Sequence, residues 1–166
     1  MEFELKPLSR SAIPAALEKA HRYRLLNEPW QAESICEDVL RIEPRNQTAL
    51  VTLLLAITDQ FGSHIAPAHA RQVLSAMDGE YERAYYAGII AERSARARIR
   101  QGLPAGNFKA YEELAEAMRC YERAEALRPP DNDDAVLRWN TCARTLANNH
   151  DLRPQPEEIL QPVLDD

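Results

Sequence analysis

The chain has 166 residues, 45% of them hydrophobic, and a formal net charge of −6 at pH 7. This length suits one domain with a sizeable core. The acidic balance argues against general nucleic-acid binding, which needs a basic surface. No segment reaches the roughly 18 apolar residues of a membrane span, and the first residues, MEFELKPLSR, lack the pattern of a secretory signal. We therefore expect one cytoplasmic domain that contacts neither nucleic acid nor membrane.

The amino-acid usage favours an all-α fold. Leu, Ala, Glu and Arg dominate and only 5 glycines are present.

Phe3 and Leu5 either pack against the first helix or belong to a frayed end. Ser11 can cap that helix, which should run to about Leu26, with Asn27 as a left-handed closing residue.

A second helix is predicted to begin at Pro29 and to pack against the first. Ile35, Cys36, Val39 and Ile42 recur at helical spacing and form its buried stripe. The two helices together have the size of a helical hairpin, which cannot bury its apolar face alone.

The order of small and apolar residues in this hairpin has a known parallel. Ala20 and Tyr23 are followed, after the turn, by Ala32, Cys36 and Pro44. This order resembles the tetratricopeptide (TPR) repeat, whose pattern of W-x2-L-G-x2-Y, then A-x3-F, then P covers about 34 residues. The same period carries the pattern through two and a half units, as the following positions show: Ala20, Leu54 and Gly88; Tyr23, Ile57 and Ala91; Ala32 and Ala66; Val39 and Val73; Leu40 and Leu74.

The resemblance implies a TPR-like α-solenoid of three antiparallel helical hairpins plus a C-terminal capping helix. The repeats should cover about 13–46, 47–79 and 80–130, with the capping helix at 131–149 and an acidic and apolar tail at 151–166. Within the second repeat we expect helices near 47–60 and 64–77, the latter capped by Ser63. Ala20 and Gly88 should lie at close helix contacts.

The third repeat is longer than the others. Its pattern of Ala117, Tyr121, Ala124 and Pro129 arrives 17 residues later than the 34-residue period places it. We expect the extra residues to lengthen both helices around the turn QGLPAGN, because the flanking segments are good helix formers. The longer helices carry Arg93, Arg96, Arg98 and Arg100 opposite Glu112, Glu113 and Glu116, which form either an anion-binding patch or a solvated, partly paired face.

The capping helix should bury an apolar stripe of Val136, Trp139, Ala143 and Leu146 at spacings of three, four and three residues. Such a helix covers the last repeat of a solenoid and keeps it soluble. The apolar residues of the tail are expected to dock either on the capping helix or in the groove of the array; they are Ile159, Leu160, Val163 and Leu164.

No catalytic or metal-binding motif is recognisable in the chain. Its four histidines have no i, i+4 pair, and its three cysteines, Cys36, Cys120 and Cys142, have no CxxC spacing. We expect the cysteines to be buried thiols in a reducing compartment. The sequence therefore predicts a protein that is not an enzyme and that holds no cofactor or metal.

Function is expected in the groove, because the resemblance implies that the first helix of each hairpin lines a concave side. Residues between the packed positions would project into it in rows 34 residues apart, with two largely apolar rows and two charged rows. The rows are Leu17, Val51 and Tyr85; His21, Leu55 and Ile89; Arg24, Thr58 and Glu92; Leu25, Asp59 and Arg93.

We interpret the chain as an interaction scaffold or adaptor that binds a peptide or an amphipathic helix of another protein. An export chaperone for an apolar segment is an alternative, because TPR chaperones of secretion systems resemble the chain in size and charge. An enzyme or cofactor carrier is the alternative of another class. A second copy of the chain, in a weak homodimer, is also open as a partner.

Overall fold

The computed structural model describes residues 3–62 and 64–156, and these residues form seven α-helices and no strand. The predicted all-α fold is confirmed. Ser63 and the apolar tail residues Ile159, Leu160, Val163 and Leu164 lie outside the described residues. The helices are α1 Ile13–Leu25, α2 Pro29–Ile42, α3 Gln47–Asp59, α4 Pro67–Ser75, α5 Glu80–Gln101, α6 Pro104–Leu127 and α7 Asp134–Asn148.

Each helix packs against the next one in the chain, and α1 also contacts α3, while α3 also contacts α5. In the α5 and α6 pair the direction is antiparallel, because Glu92 meets Tyr121 while Arg98, further along α5, meets the earlier residue Glu113. One hydrophobic core extends from Ala20 in α1 to Cys142 in α7. A second, smaller cluster of Ile13, Val39 and Ala49 lies at the N-terminal end.

The N-terminal helices follow the sequence prediction with local differences. A 3-10 turn at Arg10–Ala12 precedes α1, which begins at Ile13 and has Ala12 rather than the predicted Ser11 as its N-cap residue. Phe3 and Leu5 are exposed and do not pack on α1. Asn27 has a φ of 61°, which confirms it as the left-handed residue after the helix.

The second hairpin is shorter than predicted at its second helix. α4 begins at Pro67 rather than near residue 64, since proline is well suited to the first turn of a helix, where no N–H partner is required. In α3, the side chain of Asn46 accepts a hydrogen bond from the backbone N–H of Ala49 at 3.0 Å and caps the helix. The predicted inward positions Leu50, Leu53, Leu54 and Ile57 are all buried.

The lengthening of the third pair of helices is confirmed. α5 has 22 residues and α6 has 24, against 13 and 9 in α3 and α4. Gly88 lies against the Tyr121 ring so closely that an added Cβ would stand 2.5 Å from Cε1. The close contact predicted at Gly88 is therefore present, and Ala20 is likewise fully buried.

The buried stripe of α7 differs from the predicted one. Ala135 and Cys142 are fully buried, and Trp139 and Leu146 are partly buried against the core. This stripe has spacings of four, three and four residues, whereas the prediction centred it on Val136. The predicted stripe shares Trp139 and Leu146 with the observed one, but Ala135 and Cys142 take the buried places expected for Val136 and Ala143.

No helix in the part of the chain that the structure describes is both long and apolar enough to cross a membrane.

Candidate functional site

Three of the odd-numbered helices are joined by one carboxylate, that of Asp59. Arg24 of α1 donates to its Oδ2 at 2.7 Å, and Arg93 of α5 donates to its Oδ1 at 2.6 Å. Arg93 also donates to the carbonyl oxygen of Leu55 at 3.0 Å and to Oγ1 of Thr58 at 2.7 Å. Burial lowers the pKa of Arg93. The Asp59 carboxylate opposes this effect, so the guanidinium stays charged.

We call the surface formed by α1, α3, α5 and α7 the odd-helix surface.

The spacing of these contacts matches the period seen in the sequence. Arg24 and Asp59 are 35 residues apart, and Asp59 and Arg93 are 34 residues apart. The sequence placed these residues in the two charged rows of a groove. In the structure they connect neighbouring helices instead of projecting freely, and the Arg24 side chain is only 14% exposed.

A second carboxylate, Glu92, is enclosed between α5, α6 and α7, and the residue is 1% exposed. Tyr121 of α6 donates its hydroxyl to Oε2 at 2.7 Å. Arg96 and Arg138 donate to Oε1 at 3.0 Å and 3.4 Å. Burial, reinforced by the Glu92 carboxylate, raises the pKa of Tyr121, so its hydroxyl remains a donor. Glu92 therefore holds three helices together and is not available to a ligand.

Other predicted groove residues are also packed rather than open. Thr58 and Ile89 are buried like Glu92, which corrects the expectation that these three line a groove. Thr58 donates its hydroxyl to the carbonyl of Leu54 at 3.0 Å, and Ile89 lies in α5 where helices pack on both sides. Further predicted groove residues, Val51, Leu55 and Tyr85, are partly buried against the core.

Tyr85 belongs to a cluster of aromatic rings. Its centroid lies 5.1 Å from that of Tyr86 in an edge arrangement and 5.8 Å from that of Tyr121. It also stacks on Tyr81 at 5.9 Å. Such ring contacts stabilise a packed position. Tyr85 therefore contributes mainly to the junction of α5 and α6.

The odd-helix surface has a cleft between α1 and α3. This α1/α3 cleft has a volume of about 700 Å³. Leu17 and His21 of the predicted groove line it. Leu25, which belongs to one of the two rows described as charged, lies at its edge and is 73% exposed. The complete lining is Pro14, Leu17, Glu18, His21, Arg22, Leu25, Thr48 and Thr52.

Sequence reasoning missed Thr48 and Thr52 as cleft residues. The 34-residue period relates them to Pro14 and Glu18, which also line the cleft. These two rows lie next to the row of Leu17 on the helix surface, so the same period could have identified them. Rows built only from α1 positions between packed residues do not include the flanking faces, where Thr48 and Thr52 lie.

The arginines of α5 do not form one uniform face. Arg98 pairs with Glu113 of α6 at 2.9 Å, as the interpretation of a partly paired surface predicted. Arg93 and Arg96 instead turn toward Asp59 and Glu92. The arginines of α5 therefore divide into Arg98, which is directed at α6, and Arg93 and Arg96, which are directed at the odd-helix surface.

The arrangement offers little reactive chemistry. Among residues 3–62 and 64–156, no group of three or more His, Cys, Asp or Glu side chains could hold a metal ion. The three cysteines are buried as predicted, and burial raises the pKa to about 12 for Cys36, about 11 for Cys120 and about 12 for Cys142. Because the thiolate is the reactive form, these thiols are inert in the folded chain.

Comparison of the chain with protein-family models, with curated proteins and with solved structures finds no significant match.

Proposed function

We propose that this protein is a non-catalytic TPR-like scaffold that binds a peptide or an amphipathic helix of another protein on its odd-helix surface. The α1/α3 cleft is the observation that carries the proposal. It combines the apolar side chain of Leu17 in its lining with an exposed apolar edge at Leu25.

Two observations support the TPR-like part of the proposal. Each helix packs on the next, and α1 and α3 also contact the helix two places along, which is the contact pattern that stacked hairpins produce. The contacts through Asp59 repeat at 35 and 34 residues, close to the length of a TPR unit.

The chemistry of the cleft fits an amphipathic partner. Leu17 and Leu25 can bury against apolar side chains, and each fully buried leucine contributes about 1.5–3 kcal/mol. Glu18, His21 and Arg22 provide polar contacts around them. A helix that presents apolar residues at i and i+3 or i+4 satisfies both requirements. Buried free thiols agree with a cytoplasmic location for this activity.

Affinity capture tests the proposal directly. The tagged chain is used as bait in a lysate of its source, alongside Leu25→Asp, which places a charge at the edge of the cleft. Leu25 is exposed, so the substitution should leave thermal stability within about 0.5 kcal/mol. The expected result is a partner captured by the parent chain and lost, or reduced at least about tenfold, with Leu25→Asp.

Leu137→Asp is the matched control, because Leu137 is an exposed leucine on α7, away from the cleft. It should capture the partner as well as the parent chain does. If both substitutions abolish capture, or neither does, the partner does not bind in the α1/α3 cleft and the proposal is wrong.

A further inference from the structure

A second cleft lies at the other end of the odd-helix surface, between α5 and α7. This α5/α7 cleft has a volume of about 490 Å³ and contains three arginines. Its lining differs from that of the α1/α3 cleft in charge, because among the described residues it has three arginines and no acidic residue, whereas the α1/α3 cleft contains both Glu18 and Arg22. The lining consists of Arg96, Ile99, Arg100, Thr141, Arg144, Thr145, Asn148 and Asn149.

Two of the three arginines are held in place by the fold. Arg96 donates from Nε to Glu92 at 3.0 Å, and Arg100 donates from Nη2 to the carbonyl oxygen of Phe61 at 2.9 Å. These bonds use only part of each guanidinium, which has five N–H donors. Arg144 is exposed and makes no hydrogen bond or ion pair with another described residue. The cleft therefore presents positioned donors that are not fully used.

The charges in the cleft are not balanced. No Asp or Glu belongs to its lining within the described part of the chain. Glu92 is the carboxylate that contacts Arg96, and it is shared with Arg138. Glu92 therefore offsets one positive charge of that pair, and Arg100 and Arg144 add two more. A positive cluster of this kind is an exception in a chain whose net charge is −6.

We propose that the α5/α7 cleft binds a phosphate monoester. A phosphate group carries about −1.5 to −2 charges and three acceptor oxygens, so it can accept hydrogen bonds from three guanidiniums at once. A single carboxylate has one charge and two oxygens and would satisfy fewer of these donors. Arginine forks match the geometry of phosphate oxygens well.

The remaining lining suits the organic part of such an ester. Ile99 provides an apolar contact, and Asn148 provides an amide. The hydroxyls of Thr141 and Thr145 donate to carbonyls of their own helix at 2.9 Å, so their oxygens are available as acceptors. A long polyanion fits less well, because the chain as a whole carries a net charge of −6.

Calorimetric titration of the full chain tests this site. O-phosphoserine is the first probe, with serine and glutamate as comparison ligands in a buffer free of phosphate and sulfate. We expect phosphoserine to bind at least about tenfold more tightly than glutamate, and serine not to bind. Arg144→Gln and Arg100→Gln should each weaken phosphoserine binding at least about tenfold, because each removes one charged donor.

Arg123→Gln is the matched control, since Arg123 is an exposed arginine of α6 outside the cleft. It should bind phosphoserine as the parent chain does, and circular dichroism should show equal helix content in all variants. Equal weakening by Arg123→Gln would mean that general charge attraction explains the binding, and the proposal would then fail. Binding of phosphoserine no tighter than that of glutamate would also overturn it.

Adenosine monophosphate is the second probe and distinguishes two sources of the phosphate. Tighter binding than phosphoserine supports a nucleotide, and weaker binding supports a phosphorylated side chain; both outcomes support the phosphate site.

This inference does not depend on the proposed function, because it concerns α5 and α7 while partner capture was assigned to α1 and α3. Leu25→Asp should therefore leave phosphoserine binding unchanged, so that the two proposals can fail separately.

Discussion

At its N-terminal end the odd-helix surface is open between α1 and α3, whereas at its C-terminal end α5 encloses a carboxylate between α6 and α7. Arg24, Thr58 and Glu92 occupy equivalent places 34 residues apart. Arg24 pairs with Asp59 of α3, whereas Glu92, 1% exposed, accepts hydrogen bonds from side chains of α5, α6 and α7. Positions 34 residues apart in the sequence therefore have different environments, because these depend on which helices pack next to them.

The largest effect is expected from removing the charge of Glu92. Glu92→Gln keeps the shape of a side chain that is 1% exposed but removes the counter-charge of Arg96 and Arg138, whose side chains are 38% exposed. Breaking a buried ion pair from one side costs about 3–5 kcal/mol. We expect the free energy of unfolding, measured with urea, to fall by about 3 kcal/mol.

Glu18→Gln is the matched change at the open end, because Glu18 lies at the α1/α3 cleft and is exposed. Its effect should stay within about 0.5 kcal/mol. Equal effects of the two substitutions would contradict the contrast between an enclosed and an open end.

A somewhat smaller effect is expected from filling the contact at Gly88. In Gly88→Ala the new Cβ would lie 2.5 Å from Cε1 of Tyr121, whose ring is fully buried and whose hydroxyl is bonded to Glu92. The ring cannot move away without breaking that bond. We expect a loss of about 1–3 kcal/mol in unfolding free energy.

Gly106→Ala serves as the comparison, since its nearest neighbour would be the Cβ of Arg98 at 4.0 Å. There the alanine has space in a helix, and a gain of about 0.5 kcal/mol is expected. A neutral Gly88→Ala would show that α5 and α6 are less tightly packed than the structure indicates.

Much of the fold could be predicted because local sequence carries it. Residue type predicts the proline at the start of α2 and the left-handed Asn27. The 34-residue period predicts the close contact at Gly88. The longer third pair of helices follows from the delayed pattern around Tyr121. These features depend on one helix or on two helices that are adjacent in the chain.

The candidate site could be predicted only in part. Leu17 and His21 were identified as groove residues and line the α1/α3 cleft. The burial of Glu92 was missed because it depends on Tyr121 and Arg138, which lie 29 and 46 residues away. The period indicates which residues are equivalent, but it does not indicate which partner on another helix will enclose one of them.

The smallest effect concerns Asp59, which connects the open end of the odd-helix surface with the enclosed end. Its carboxylate accepts one bond from Arg24 and one from Arg93, whose side chains are 14% and 20% exposed. Asp59→Asn removes the charge but keeps an oxygen that can accept one of the two bonds. We expect a loss of about 1 kcal/mol in unfolding free energy, more than an exposed ion pair gives.

The matched control is Asp78→Asn, because Asp78 pairs with Arg45 where the two side chains are 55% and 79% exposed. Exposed pairs contribute about 0–1 kcal/mol and are weakened by salt, so this change should fall near zero at high ionic strength. The partly buried contact at Asp59 is screened less, and its loss should persist when salt is raised. If the effect of Asp59→Asn disappears with salt as that of Asp78→Asn does, Asp59 is a surface charge and does not connect α1, α3 and α5.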